Sequence, residues 1–273
     1  MHLLAYGAVT DRGPVRTINE DSILAAPPVF VVADGVGGNE AGEVASAIVV
    51  EEFARLAERP VIDADGVSDT IQTAHARVRD FNEGRPHGAS STAVGAVGVM
   101  SGDEPYWVVF NIGDSRMYRF AVGTPDAPQR ELTQISVDHS HVQELVDAAV
   151  ITSEEAEHHP DRNLVTRAIG AEETCEPDFW MIPMVPGDRL LICSDGLLAL
   201  SADELAERLA DERQASVVAD ELLQAALAAE TTDNVSVIVI DVADSGEGIP
   251  PSEELTTARP NTPDDVVTQP LQA

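Results

Sequence analysis

Basic residues are scarce in this 273-residue chain: 16 Lys and Arg stand against 48 Asp and Glu, a net charge of −32. Nucleic acids and anionic lipids are held by cations that neutralise phosphates, and no stretch gathers Lys or Arg on one face. Binding to nucleic acid or to a membrane surface is therefore not expected. Cysteine is limited to Cys175 and Cys193, far apart and in no CxxC pair, and no Cys/His pair has zinc spacing. That argues against a disulfide framework and leaves two reduced thiols in a cytoplasmic protein as the expectation. A basic, apolar leader is missing from the first residues, and no apolar run reaches about 18 residues, so neither a signal peptide nor a transmembrane helix is expected. Aromatics are only 4%, so a core must be built from Val, Leu, Ile and Ala, and hydrophobic residues at 44% are enough to build one.

Short β-rich runs come first: Tyr6 to Thr10, Ile23 to Ala25 and Val29 to Ala33. Ala45, Ile48, Val49, Phe53 and Leu56 then recur at helical spacing, as do Val67, Ile71, Ala74, Val78 and Phe81. Three strands follow, Ser91 to Met100, Tyr106 to Ile112 and Arg116 to Val122, with links short enough to predict antiparallel hairpins. From Gln134 to Gly170 the pattern becomes helical, with Thr152 and Glu155 placed as a capping box, and this stretch reads as an insertion lying over one sheet edge. Arg189 to Cys193 resumes the strands, Ser201 and Glu204 open one long helical region reaching about Ala228, and Asn234 to Val242 is the last strand. Residues 244–273 are Pro-, Thr- and acid-rich without periodicity, which predicts a disordered tail after one domain at 1–243.

Carboxylates recur where these strands end. Asp34 follows Val29 to Ala33 and precedes Gly35; Asp195 follows Leu190 to Ser194 and precedes Gly196. Asp21 stands just before Ile23 to Ala25, Asp233 before the last strand, and Asp114 in the turn Gly113-Asp114-Ser115. Asp-Gly is an ordinary turn dipeptide. Several carboxylates gathered at one end of a sheet, however, repel unless a cation sits among them. Oxygen-only ligation suits Mg²⁺ or Mn²⁺ rather than zinc. Spacing alone reaches an oxygen-ligated divalent site and no further.

The motifs Arg16-Thr17-Ile18-Asn19-Glu20-Asp21-Ser22, Val32-Ala33-Asp34-Gly35-Val36-Gly37-Gly38, Gly88-Ala89-Ser90-Ser91-Thr92, Asn111-Ile112-Gly113-Asp114-Ser115-Arg116, Ser194-Asp195-Gly196 and Thr232-Asp233-Asn234 occur in one order. In that order the chain resembles the protein phosphatases of type 2C from about Gly7 to Val242, and in particular the compact bacterial members that counteract Ser/Thr kinases. The resemblance implies an α+β fold, a four-layer αββα sandwich of two mainly antiparallel sheets flanked by helices. It implies a centre of two Mn²⁺ or Mg²⁺ ions, with a third and weaker one. Asp34 would bridge the pair and Gly35 would offer its carbonyl. Asp195 and Asp233 would ligate one ion, directly or through water. Glu20 and Asp21 would hold metal-bound waters, Asp114 would hold the third ion, and Arg16 would grip the substrate phosphate with its planar fork.

The activity so implied is hydrolysis of phosphoserine and phosphothreonine on proteins by a hydroxide bridging the two ions. Partners would be phosphoproteins and the kinases that make them, with a monomer as the default. The stretch Gln134 to Gly170 resembles the family's flap. Many eukaryotic members carry a histidine where this chain has Val36, which leaves water as the proton donor ahead of His139 or His141. Two other readings use the same residues: a silent pseudophosphatase that only binds phosphoproteins, and a hydrolase of small phosphoesters. All mapped ligand positions carry Asp, Glu or Gly, which argues against the silent form.

Overall fold

The structure, a computed structural model, describes residues 2–36, 41–85, 88–121, 123, 131–243 and 257–258. In chain order the strands are β1 (Leu3–Asp11), β2 (Asp21–Ala26), β3 (Val29–Val36), β4 (Ser90–Ser91), β5 (Ala93–Ser101), β6 (Glu104–Ile112), β7 (Arg116–Ala121), β8 (Glu131–Gln134), β9 (Asp178–Pro183), β10 (Arg189–Cys193), β11 (Val235–Ala243) and β12 (Thr257–Ala258). The α-helices are α1 (Gly42–Ala57), α2 (Ala64–Asn82), α3 (His141–Asp147), α4 (Ser153–Glu157), α5 (Ala202–Leu209) and α6 (Ala215–Ala228). One sheet runs β12-β1-β11-β10-β7-β8 and the other β2-β3-β5-β6-β9, with β4 beside the end of β3.

The central strands are apolar on both faces because both faces are covered. In β3, Val29, Val31 and Ala33 pack with Phe53, Leu56 and Ile71 of α1 and α2. Their neighbours Phe30 and Val32 point the other way, into a core shared with Leu190, Ile192, Ile238 and Ile240 of the second sheet. The second sheet repeats the division: Leu191, Val237 and Val239 face Leu205, Val218 and Leu222 of α5 and α6. Helix, sheet, sheet, helix is thus the four-layer sandwich that the family resemblance implied. Full burial of each such side chain is worth about 1.5–3 kcal/mol, and these layers hold the strand ends in place.

The structure corrects several element readings. β5 and β6 form the expected hairpin, but β6 and β7 do not pair: β6 neighbours β9 and β7 neighbours β10. The turn between them therefore crosses from one sheet to the other. The region expected as one helix from Ser201 to Ala228 is two, α5 and α6. Buried Arg189 breaks it, taking the carbonyls of Leu209, Asp211 and Arg213 as acceptors. Strands β8 and β9 add to the two sheet edges. The capping boxes at Thr152 and Glu155, and at Ser201 and Glu204, are both formed. The tail read as disordered lies outside the described residues except Thr257–Ala258, which pair in parallel with Val9 and Thr10.

Candidate metal centre

Strand register gathers the acidic residues. Asp21 opens β2 directly opposite Asp34 near the end of β3. Cys193 pairs with Val237, so Asp195, just past β10, lies alongside Asp233, just before β11. Asp21 joins the two sheets here: its Oδ2 accepts hydrogen bonds from Ser194 Oγ at 2.8 Å and Ser236 Oγ at 2.7 Å. Asp114 arrives from the crossing turn after β6 and is buried. The structure therefore brings together Asp21, Asp34, Asp114, Asp195 and Asp233, with Glu20 and Arg16 on the adjoining loop.

Asn234 makes three of the hydrogen bonds that fix that loop. Asn234 accepts the Glu20 N–H at 2.9 Å and donates to the carbonyls of Arg12 at 2.8 Å and Ile18 at 3.0 Å. Arg16 Nη2 donates to Asp233 Oδ2 at 2.5 Å, and Nη1 lies 3.9 Å from Glu20 Oε2. Gly35 is required by close approach: a Cβ there would fall 2.3 Å from the Gly42 carbonyl carbon and 2.6 Å from the Glu20 carbonyl oxygen. The Gly35 N–H also donates to that Glu20 carbonyl at 3.1 Å. Thr92 fastens β3 from the other side, accepting the Asp34 N–H at 3.0 Å and donating its own N–H to the Asp34 carbonyl at 2.8 Å.

Crowding and burial set the electrostatics. Desolvation, opposed by the two serine hydroxyls, pushes the Asp21 carboxyl up to about 7, and Asp195 and Asp233 add to the rise. Burial raises Asp34 well above the carboxylate range, with Asp21, Asp195, Asp114 and Asp233 all contributing. Asp114 rises to about 7 through burial and then the charge of Asp195. Asp195 rises to about 6 through burial and Asp233, eased by Arg16 and by a hydrogen bond with Asp34. Burial likewise raises Glu20, with Arg16 opposing and Glu43 and Asp233 adding.

A cation fits this arrangement. Asp21 Oδ1 and Asp195 Oδ1 are buried with no hydrogen-bond partner, an expensive state for a charged oxygen unless a positive ion answers it. The gathered donors are oxygens, the preference of Mg²⁺ and Mn²⁺. Among the described residues, no three His, Cys, Asp or Glu side chains close on one point tightly enough to hold an ion unaided. Waters and a backbone carbonyl would have to complete each shell, as is usual for Mg²⁺.

The model of the protein phosphatase 2C family matches residues 16–236, from Arg16 at the rim to Ser236 beneath Asp21. The chain belongs to that family. It is similar to the serine/threonine protein phosphatase PstP of Mycobacterium tuberculosis, 38% identical over 257 residues covering 90% of this chain. It spans only 46% of that relative's length. The serine/threonine phosphatase stp of Listeria monocytogenes is 32% identical over 247 residues, which cover 85% of this chain and 93% of the relative. A crystal structure of the PstP catalytic domain in complex with two manganese ions superimposes with a TM-score of 0.76 at 35% identity, covering 89% of this chain and all of that one.

In this 2C family member several site residues escaped the sequence reading. Ser194 and Ser236 hold Asp21; Asn234 holds the Arg16 loop; Thr92 holds Asp34. Ser194 and Asn234 stand beside Asp195 and Asp233 in the acidic motifs and Ser236 two residues further on, while Thr92 closes the motif Gly88-Ala89-Ser90-Ser91-Thr92; that adjacency was the available signal. The two histidines weighed as proton donors are placed otherwise. His139 is buried with Nδ1 accepting the Gly113 N–H, and His141 opens α3 with its ring against His159. Val36 is over a third exposed at the end of β3.

Proposed function

We propose that the chain is a metal-dependent protein-serine/threonine phosphatase whose centre takes two Mn²⁺ or Mg²⁺ ions. The observation that carries the reading is the pair of buried, unpartnered carboxylate oxygens on Asp21 and Asp195 within a cluster whose charges oppose one another. Asp34, opposite Asp21 across β2 and β3, would hold both ions, and the Gly35 carbonyl would hold one of them. Asp195 and Asp233 would ligate one of them, Glu20 and Asp21 would orient waters, and Asp114 would hold a third, weaker ion. When bound, such ions make hydroxide available from water near neutral pH and neutralise phosphoryl charge. Arg16 gives one donor to Asp233, and its guanidinium carries five, so donors remain for a phosphate arriving at the rim. With Val36 at the end of β3 and His139 committed to Gly113, the leaving alkoxide takes its proton from water.

Phosphoproteins made by Ser/Thr kinases are the substrates this reading favours, with the 1–243 segment as the phosphatase domain and residues 134–170 as its flap. The cytoplasm and a monomeric state go with it. Among the described residues no helix is long and apolar enough to cross a membrane. The test is phosphate release from a phosphothreonine protein and from a small aryl phosphate, in Mn²⁺ or in EDTA, by wild type and Asp34→Asn. Metal-dependent release lost in a folded Asp34→Asn supports the proposal. A folded, Mn²⁺-supplied wild type inert on both substrates overturns it.

A further inference from the structure

The turn carrying Asp114 leaves one sheet for the other, so no strand ladder fixes it. Its position has to come from side chains. Asn111 Nδ2 donates to the Gly113 carbonyl at 3.0 Å and to the Val137 carbonyl at 2.8 Å. Thr92 closes another side: its hydroxyl lies 2.8 Å from that of Ser115. Its Cγ2 would sit 2.5 Å from a Cβ on Gly113, whose φ is +110°.

His139 grips Gly113 on both sides. Its backbone N–H donates to the Gly113 carbonyl at 2.8 Å, and its Nδ1 accepts the Gly113 N–H at 3.2 Å. An accepting Nδ1 leaves the neutral ring's proton on Nε2, which faces Asp178 Oδ2 on β9 at 3.2 Å. Arg167 shares Asp178 through Oδ1 at 3.3 Å. The His139 carbonyl accepts the Thr166 N–H at 2.8 Å. One buried imidazole is thus clamped between the Asp114 turn and the sheet edge, while its own backbone ties that turn to the 134–170 segment.

We infer that His139 is a positioning residue that holds Asp114 in the carboxylate cluster and thereby sets the affinity of the weakest-bound ion. The inference rests on the metal role proposed for Asp114. It differs from a proton-transfer role, because both ring nitrogens are committed to protein partners. It also differs from plain packing, because its effect has to pass through Asp114.

The experiment is Mn²⁺ binding, followed by the electron paramagnetic resonance of free Mn²⁺, on the full chain. The variants are His139→Ala, His139→Asn, Asp114→Ala and the Asp114→Ala/His139→Ala double, with melting in EDTA as the folding control. Removing such an outer support weakens metal binding on the order of 10-fold, here at the weakest site. His139→Asn, whose Oδ1 can accept the Gly113 N–H, recovers most of that loss, and the double variant binds no worse than Asp114→Ala alone. If His139→Ala does not fold, His139→Phe takes its place, keeping a ring but no acceptor. Wild-type binding in His139→Ala, or an equal loss with and without Asp114, overturns the inference alone. Unchanged binding in Asp114→Ala overturns the metal role of Asp114 and the inference with it.

Discussion

Replacing Asp21 by asparagine should stabilise the protein in EDTA, and Mn²⁺ should narrow or reverse that gain. The side chain is buried, its Oδ2 holds two hydroxyls, and its Oδ1 has no partner. Moving the carboxyl from 3.8 to about 7 corresponds to about 4 kcal/mol against the ionised form. The sign follows from linkage: the folded state holds this proton more tightly than the unfolded one. The penalty is absent below about pH 3.8, grows up to about pH 7 and is complete at pH 8. Asparagine removes the charge and keeps an acceptor for Ser194 and Ser236, but buries an unpaired NH₂ at a cost of about 1–3 kcal/mol. The net gain at pH 8 is about 1–3 kcal/mol, or about 2–4 °C of Tm for each kcal/mol in a chain of this size. Mn²⁺ at 100 times its Kd would stabilise wild type by about 2.7 kcal/mol, and the variant by less. Thermal melts followed by circular dichroism, at pH 8 and pH 4.5 with EDTA or Mn²⁺, read all four conditions. A variant less stable than wild type in EDTA at pH 8 refutes the reasoning.

Three further outcomes follow from the same geometry. Asn234→Ala leaves the Glu20 N–H and the carbonyls of Arg12 and Ile18 without their partner; it should cost about 2–4 kcal/mol in urea denaturation and raise KM for a phosphopeptide. Arg16→Ala removes an exposed ion pair worth about 0–1 kcal/mol, so melting should barely move while kcat/KM for phosphothreonine falls; a large Tm loss with intact activity would contradict its rim role. Gly35→Ala forces a Cβ against the backbone of Gly42 and Glu20 and should destabilise by about 3 kcal/mol or more, visible as a lower urea midpoint even in EDTA.

The acidic residues were legible because each stands at one end or the other of an apolar run, and strand ends of one sandwich have few places to go. What the runs could not say was which sheet each strand joined. β6 and β7 carry large apolar side chains on both faces, so a three-residue link looked like a hairpin, although the chain crosses between layers there. β8 is four largely exposed residues, and β9 alternates half-buried with exposed at a sheet edge, so neither carried a clear period. The break between α5 and α6 depends on Arg189, twenty residues earlier and across the layer, which no local pattern announces. The supports of the site, Ser194, Ser236, Asn234 and Thr92, are small polar residues whose roles exist only once distant strands meet.

The central claim is that this carboxylate cluster is a two-ion centre. A crystal grown with Mn²⁺ and measured at the manganese edge tests it directly. The account predicts two strong anomalous peaks flanking the Asp34 carboxylate, one of them also reached by Asp195 and Asp233, and their loss in Asp34→Asn. Density showing Mn²⁺ only elsewhere, or an Asp34 carboxylate bonded to protein donors with no ion beside it, would contradict it.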